Sequence, residues 1–252
     1  MDSPLTIVQI TDLHLLAESG QTMEAVDTEN SFQKIVEQVH KTYNQIDLLL
    51  VTGDLAQDPC QSSYQRVIQT LQKHPSRTIC LPGNHDDFSL MQKIINDPQI
   101  NCDKVIKFKK WQIISLNSQK IGATGGFLDT SELTFLNNAL EERPDLHTLI
   151  AMHHHPIPTN SKWMDTMTIE NSAQLFSIIK KHSQVKAICY GHIHQETEEV
   201  IDNTLILGTP STCFQFKPLS IDYALDSNKP GYRILSLHNN GLIESTVCRL
   251  VI

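Results

Sequence analysis

The chain has no Cys-x-x-Cys pair, no long apolar run, no excess of positive charge and no basic leader. Each absence closes a class of function. Its cysteines, Cys60, Cys80, Cys102, Cys189, Cys213 and Cys248, are scattered. That spacing excludes a thiolate metal site and predicts reduced, mostly buried thiols rather than a disulfide frame. No stretch reaches the roughly 18 apolar residues that a bilayer span requires, so no membrane partner is expected. The formal net charge of −8 argues against a broad cationic surface for a nucleic acid polymer. The opening Met1-Asp2-Ser3-Pro4 has neither a basic segment nor a cleavable apolar stretch, which predicts a cytoplasmic protein. With 252 residues, 40% of them hydrophobic and 19% charged, the chain can bury a sizeable core.

What is present is a repeated unit in which an apolar run ends in polar ligands. Leu5–Thr11 reads as a buried strand and delivers Asp12 and His14, two positions apart, so that both can lean to one side of an extended segment. Alone, that pair is equally a turn aspartate beside a satisfied histidine. Ile46–Thr52 is a second strand, ending in Gly53-Asp54, where glycine permits a tight turn and close backbone approach. Arg77–Leu81 is a third, running into Pro82-Gly83-Asn84-His85-Asp86. Helical spacing of Phe32, Ile35, Val36 and Val39, and of Tyr64, Val67, Ile68 and Leu71, places core-facing helices between them. This is βαβ grammar, with right-handed crossovers and helices on both faces.

Lys104–Phe108 and Trp111–Leu116 form a candidate hairpin around Lys109-Lys110, although its turn lacks glycine or asparagine. Asp129 or Thr130 can cap the helix that carries Leu133, Leu136 and Leu140. Leu149–Met152 is a short strand before His153-His154-His155-Pro156, and Val185–Tyr190 is another before Gly191-His192-Ile193-His194. Trp163, in the loop after the first of these, is an apolar anchor of that loop. Beyond residue 194, short strands joined by Asp202-Asn203, Asn228–Gly231 and Asn239-Asn240-Gly241 read as an antiparallel meander. The expected fold is α/β: one domain over 1–252, with strands in two packed sheets and residues 196–252 adding the C-terminal strands of the second.

Seven of the twelve histidines follow strands directly, which ordinary surface turns do not explain. A parallel sheet can bring such strand ends to one edge. Carboxylate, amide and imidazole ligands without thiolate suit manganese, iron, cobalt or zinc better than magnesium alone, and their number suits two ions sharing a carboxylate. His40, His74, His182 and His238 lie on helical or meander positions and are expected to be structural or exposed.

Asp-x-His, Gly-Asp, Gly-Asn-His-Asp, a histidine after a further strand and Gly-His-x-His occur in that order across residues 12–194. This series resembles the calcineurin-like metallophosphoesterases. Leu81–Asp86, Ser161–Asp165, Gly191–Glu196 and Thr209–Cys213 are similar to the bacterial class III cyclic-AMP phosphodiesterases within that family. The resemblance implies a four-layer αββα sandwich with two packed, mixed β-sheets. It implies that Asp12, His14 and His194 hold one metal, that Asp54 bridges, and that Asn84, His154 and His192 hold the second. His154 is preferred because the ligand is expected two positions before proline, here Pro156. His155 would then border the substrate pocket and His153 would pack or pair. His85 would act on the phosphate beside Asn84, and Asp86 would orient a histidine. Trp163, Asn117 and Thr209 are candidate substrate contacts. The implied cofactors are two transition metal ions, Fe and/or Mn, with Zn or Co as alternatives. The implied reaction is hydrolysis of 3′,5′-cyclic AMP to 5′-AMP by in-line attack of hydroxide generated at the metals. Broader activity on glycerophosphodiesters or other cyclic nucleotides is an alternative. A non-catalytic metal-binding scaffold would be expected to lack ligands, and none is missing. The partner is a small molecule, and the protein a monomer or homodimer.

Overall fold

Leu48-Leu49-Leu50-Val51 is buried at every position because its two faces meet different cores. Leu48 and Leu50 point into a seam with Ile7, Leu149, Ala187 and Leu235, whereas Leu49 and Val51 point at Phe32, Ile35, Val67 and Leu71. A strand with no wet face reads as a continuous apolar run, and its period of 2 is then visible only in the packing.

The computed structural model describes residues 3–43 and 45–251. The leaderless reading of Met1-Asp2 falls outside them. The first half runs β1 (Leu5–Ile10), β2 (Thr22–Met23), β3 (Val26–Asp27), α1 (Thr28–Thr42), β4 (Leu48–Thr52), α2 (Gln61–Leu71), β5 (Thr78–Leu81), α3 (Phe88–Ile94) and β6 (Ile100–Asn101). There follow β7 (Val105–Lys107), β8 (Trp111–Ser115), α4 (Thr130–Glu142), β9 (His147–Ala151), α5 (Ser172–Ile179) and β10 (Val185–Tyr190). The chain ends with β11 (Thr197–Ile201), β12 (Thr204–Gly208), β13 (Gln215–Phe216), β14 (Leu225–Asp226), β15 (Gly231–Leu237) and β16 (Ile243–Arg249).

Two six-stranded mixed sheets result, in the orders β16-β15-β1-β4-β5-β6 and β11-β12-β10-β9-β8-β7. β1, β4, β5 and β6 are parallel, as are β12, β10, β9 and β8. Helices α1, α2 and α3 pack on the outer face of the first sheet and α4 and α5 on the outer face of the second. Helices therefore cover one face of each sheet rather than both. The inner faces carry Ile7, Leu48, Leu50, Leu149, Ala187 and Leu207, and each is closed by the other sheet. The Lys109-Lys110 hairpin forms as expected, with Val105 opposite Ile114. Asp129 precedes α4 but makes no side-chain cap.

The C-terminal strands divide between the sheets. β11 and β12 join the second, turning at Asp202-Asn203 with both residues left-handed, φ 47° and 67°. β15 and β16 instead join the first, where Leu5 pairs with Leu237 and Gln9 with Arg233. The expectation that 196–252 belongs wholly to the second sheet is corrected accordingly. β1 would otherwise be an open edge, and β15 closes it while adding Leu235 and Leu237 to the seam. Arg233 crosses that seam, fully buried, and donates to Gly208 O (2.7 Å) and Thr197 O (3.2 Å) in the other sheet. All six cysteines are free; Cys80, Cys189 and Cys213 are buried and the other three partly so. No helix among the described residues is long and apolar enough to cross a membrane.

Candidate metal centre

The loops after β1, β4, β5, β9 and β10 converge at one end of the seam. The first two are joined by backbone bonds, Asp12 N to Gly53 O (3.0 Å) and His14 N to Asp54 O (2.9 Å). Asp12, His14, Asp54, His192 and His194 all adopt left-handed backbone, φ 48° to 66°. Such a conformation costs an L-residue of order 1–3 kcal/mol and is held by surrounding structure, here so that alternate side chains turn inward at a strand end. Two glycines make the convergence possible. A Cβ on Gly53 (φ +94°) would lie 2.3 Å from His153 Nδ1, and one on Gly191 would lie 2.6 Å from Asp12 Oδ2.

Two overlapping groups of ligand atoms result. Asp12, His14 and His194 form one, with His194 Nε2 3.4 Å from Asp12 Oδ1 and 3.2 Å from His14 Nε2. Asp54 lies between the groups, its Oδ2 3.7 Å from His14 Nε2 and 3.3 Å from His153 Nε2. His153 Nε2 is also 3.1 Å from Asn84 Oδ1, and His192 shares a cluster with His153 and His154. Ligand atoms about 2.0–2.2 Å from a common ion stand roughly 3.0–3.5 Å apart, the spacing seen here.

The tautomers sharpen the fit. His194 Nδ1 donates to Phe214 O (2.8 Å) and His153 Nδ1 to Thr52 O (2.9 Å), while His14 Nδ1 faces Gln57 Oε1 (2.9 Å). On His14 and His194 this puts the proton on Nδ1 and leaves a lone pair on Nε2, and on His153 it does so once the imidazolium has lost its Nε2 proton. Two such lone pairs 3.2 Å apart, on His14 and His194, repel unless a cation lies between them. His192 Nε2 is buried with no partner at all. The donor set therefore fits a pair of metal ions.

Electrostatics point the same way. Burial favours the neutral form of Asp12, but His194 and then His153 outweigh it and lower the carboxyl below its usual range. Asp54 is likewise pushed up by burial and brought well down, chiefly by His153. Burial drives His14 down to about 4 and His192 well below its ordinary value, so both are free to coordinate. His153 is opposite. Burial works against its charge, but Asp54 and Asp12 prevail and raise it to about 9 in the metal-free protein.

Because the folded value of His153 is above the unfolded one, the His153–Asp54 pair stabilises the metal-free fold fully below about pH 6.5 and loses that contribution toward about pH 9. A metal must displace the same proton. Mn2+ affinity of the metal-free protein is therefore expected to rise from pH 6 to 9, with release of about one proton per site. Calorimetry in buffers of different ionisation enthalpy measures this; pH-independent binding would exclude His153 as the group displaced.

Several of the sequence-predicted residues have other neighbours than expected. His153, not His154, faces Asn84 and Asp54. His154 Nδ1 instead meets Ser118 Oγ (2.8 Å), and its ring packs against Gly126. The period of the strand held this signal: Leu149 and Ala151 face the seam, and His153 continues that side, whereas Ile150 and Met152 face the helices and His154 follows them, with one ring nitrogen within 4.8 Å of those of His153 and His192. Asp86 orients no histidine. It accepts from the backbone of Leu55, Ala56 and Gly83 and from Tyr64 Oη, pinning the Asp54 loop to the Asn84 loop. Burial, and then Asp54, raise its carboxyl to about 7.

His155 does not border the pocket. It is fully buried, stacked on His192 at 5.5 Å, and burial takes it to about 4. Thr209 lies in the seam between Gln9 and Arg233, since β12 carries it inward after Leu207. Asn117 lines a separate polar hollow of about 640 Å³ that shares Asn84. Trp163 does line the cavity over the metal cluster, about 190 Å³, with His14, Asp54, Asn84, His85 and His192. His85 N donates to Asp54 Oδ1 (2.9 Å), and its half-buried ring stands edge-on to His14 at 5.2 Å. The sequence reading missed Phe214, Phe216 and Tyr223, which also line this cavity. His40, His74, His182 and His238 belong to none of these clusters.

The model of the calcineurin-like phosphoesterase family matches residues 5–196. A 3′,5′-cyclic adenosine monophosphate phosphodiesterase from Vibrio vulnificus is 38% identical over 99% of this chain and 91% of its own. A 3′,5′-cyclic-nucleotide phosphodiesterase from Nostoc is 38% identical over 98% and 93%. Among solved structures, a dimetal phosphatase from Danio rerio aligns over 99% of this chain and 100% of its own, with TM-score 0.67 and 12% identity. A purple acid phosphatase from yellow lupin covers 99% of this chain and aligns over 54% of its own, with TM-score 0.66 and 14% identity. At those identities the two structures are alike in fold.

Proposed function

Since the chain belongs to the calcineurin-like phosphoesterase family and carries its dinuclear metal-binding site as a metal-dependent phosphodiesterase, we propose that its substrate is 3′,5′-cyclic AMP, hydrolysed to 5′-AMP. Support comes from one juxtaposition: the ligand cluster sits at the floor of a cavity whose opposite side is aromatic, with Trp163, Phe214, Phe216 and Tyr223. That cavity suits an anionic diester joined to a planar base. The Vibrio and Nostoc relatives, similar over nearly the whole chain, act on cyclic nucleotides by name.

In this reading Asp12, His14 and His194 hold one ion, Asp54 holds both, and Asn84, His153 and His192 hold the other. Bound there, the two ions neutralise the non-bridging oxygens of the diester and lower the pKa of a water. The chain's residues do the rest. Asp86 fixes the two loops that carry Asp54 and Asn84, so the ligands are set before substrate arrives. His85, tied to Asp54 through its backbone, presents its ring at the cavity, where it can give a proton to the departing ribose 3′ oxygen. Water loses one proton to solvent as its oxygen bonds to phosphorus, the P–O3′ bond breaks, O3′ takes the proton of His85, and His85 regains a proton from solvent. Oxygen and nitrogen donors without thiolate favour iron and manganese, with zinc or cobalt next. Six unpaired cysteines suit a reducing compartment, and we place the reaction in the cytoplasm.

The test is a rate comparison of metal-loaded protein on cyclic AMP, cyclic GMP, a glycerophosphodiester and a phosphomonoester. Cyclic AMP is expected to give the highest kcat/KM, and no release of 5′-AMP would refute the reading. His85→Ala is expected to keep both metals and lose about 10²-fold in kcat. Equal loss of metal would move His85 from proton donor to ligand.

A further inference from the structure

The aromatic side of the cavity plays no part in cleaving a phosphodiester, yet it is built with care. Trp163 and Phe216 meet at 5.0 Å and 90°, Trp163 and Tyr223 at 5.3 Å and 71°, and Phe216 and Tyr223 at 5.5 Å and 66°. Phe216 also stacks on His194 at 4.3 Å and 24°. The wall thus starts beside the metal cluster and rises to the cavity mouth. Trp163 Nε1–H is buried without a partner, a donor left for an acceptor on a ligand.

Tyr223 is the outermost ring, half-exposed, on the segment between β13 and β14. That pair forms a two-stranded hairpin outside both main sheets, and β2–β3 forms another. Tyr223 Oη donates to Glu24 Oε1 at 2.9 Å, joining the two hairpins. Glu24 and Ala25 form the tip of the β2–β3 turn, both left-handed at φ 50° and 62°, and the adjacent Met23 lines the cavity. On the other side of the mouth, Ser220 N donates to Ser161 Oγ (3.3 Å), close to Trp163.

We propose that the Tyr223–Glu24 pair is a specificity-determining clasp, which holds the Tyr223 ring as the outer part of a wall that takes the substrate's planar base. The inference rests on the cyclic-nucleotide reading and names what discriminates within it. A tyrosine on a two-stranded hairpin has rotamers open to solvent. A hydrogen bond to a carboxylate is among the stronger ones available and keeps the ring in place before the base arrives. Aromatic faces stack on any base, so the wall adds affinity while the metals and His85 do the cleavage.

The test compares 3′,5′-cyclic AMP with the base-free 3′,5′-cyclic phosphate of methyl riboside, on metal-loaded wild type, Y223F, E24A and E24Q. Wild type is expected to prefer cyclic AMP by about 10²-fold in kcat/KM, from two aromatic contacts of about tenfold each. Y223F keeps the ring and loses the hydroxyl. Y223F and E24A are each expected to raise KM for cyclic AMP about 5–10-fold, with kcat within twofold and the base-free substrate unaffected. E24Q retains an acceptor oxygen and should restore most of the affinity. Equal kcat/KM of wild type on both substrates would leave cyclic phosphodiester hydrolysis intact and overturn the wall. A loss shared equally by both substrates in Y223F and E24A would overturn the clasp as a determinant of specificity. Failure of wild type on both would instead remove the reading beneath it.

Discussion

Asp54→Asn is expected to empty both metal positions and cut kcat/KM on cyclic AMP by about 10⁴-fold, because one carboxylate serves two groups of ligands. Asp54 Oδ2 lies 3.7 Å from His14 Nε2 on one side and 3.3 Å from His153 Nε2 on the other. Replacing it with an amide removes the charge placed between them and leaves a single oxygen to serve both. Asparagine is the right substitution because position 54 is left-handed, φ 49°, a conformation that asparagine adopts at less cost than alanine. A fall in activity would then report chemistry and not backbone strain. Metal analysis beside kinetics decides it: full occupancy with activity within tenfold of wild type would show that Asp54 does not bridge.

The second large effect separates two neighbouring histidines. His153→Ala is expected to lose one of the two metals and about 10³-fold in kcat/KM, while His154→Ala keeps both metals and stays within about tenfold. His153 offers its Nε2 to Asn84 and Asp54 with its proton fixed on Thr52 O. His154 commits its Nδ1 to Ser118 and packs its ring against Gly126, while its Nε2 is buried without a partner. Its truncation leaves a hole in a packed wall, so the cost belongs in Tm rather than in metal content. Normal metal content in His153→Ala, with loss in His154→Ala, would restore the assignment by distance from Pro156.

That pair also marks how far the sequence can be read. Asp12, His14, Asp54, Asn84, His192 and His194 were legible because glycine and strand endings announce them, and the fold brings all six together. The triple His153-His154-His155 carries no such punctuation, and only the inward alternation of Leu149 and Ala151 selects its first member. The two sheets were legible from their apolar runs, but the placement of β15 and β16 was not. Meander strands record that they pair, and say nothing of which edge lies open to receive them. Asp86 looked like a partner for a histidine because only its neighbours in sequence were visible; its actual partners, Leu55, Ala56 and Tyr64, come from another loop and a helix. Trp163 sits in a turn, Phe216 in the two-residue β13 and Tyr223 in the irregular segment after it, with no periodicity to link them. Rings that meet only in space leave no pattern along a chain.

The ligands are drawn from both sheets: Asp12, His14, Asp54 and Asn84 follow strands of the first, and His153, His192 and His194 follow strands of the second. Ions held by these residues would therefore be rivets as well as reagents. In the same joint Arg233, opposite Gln9 and bonded to Gly208 O and Thr197 O, is a permanent fastener. The rivets are exchangeable, and their number is set by the surrounding concentration of free metal. Loss of metal would then do more than stop a reaction: it would remove one set of links between sheets that the apolar seam and Arg233 also join, so metal-free protein is expected to melt at a lower temperature than metal-loaded protein.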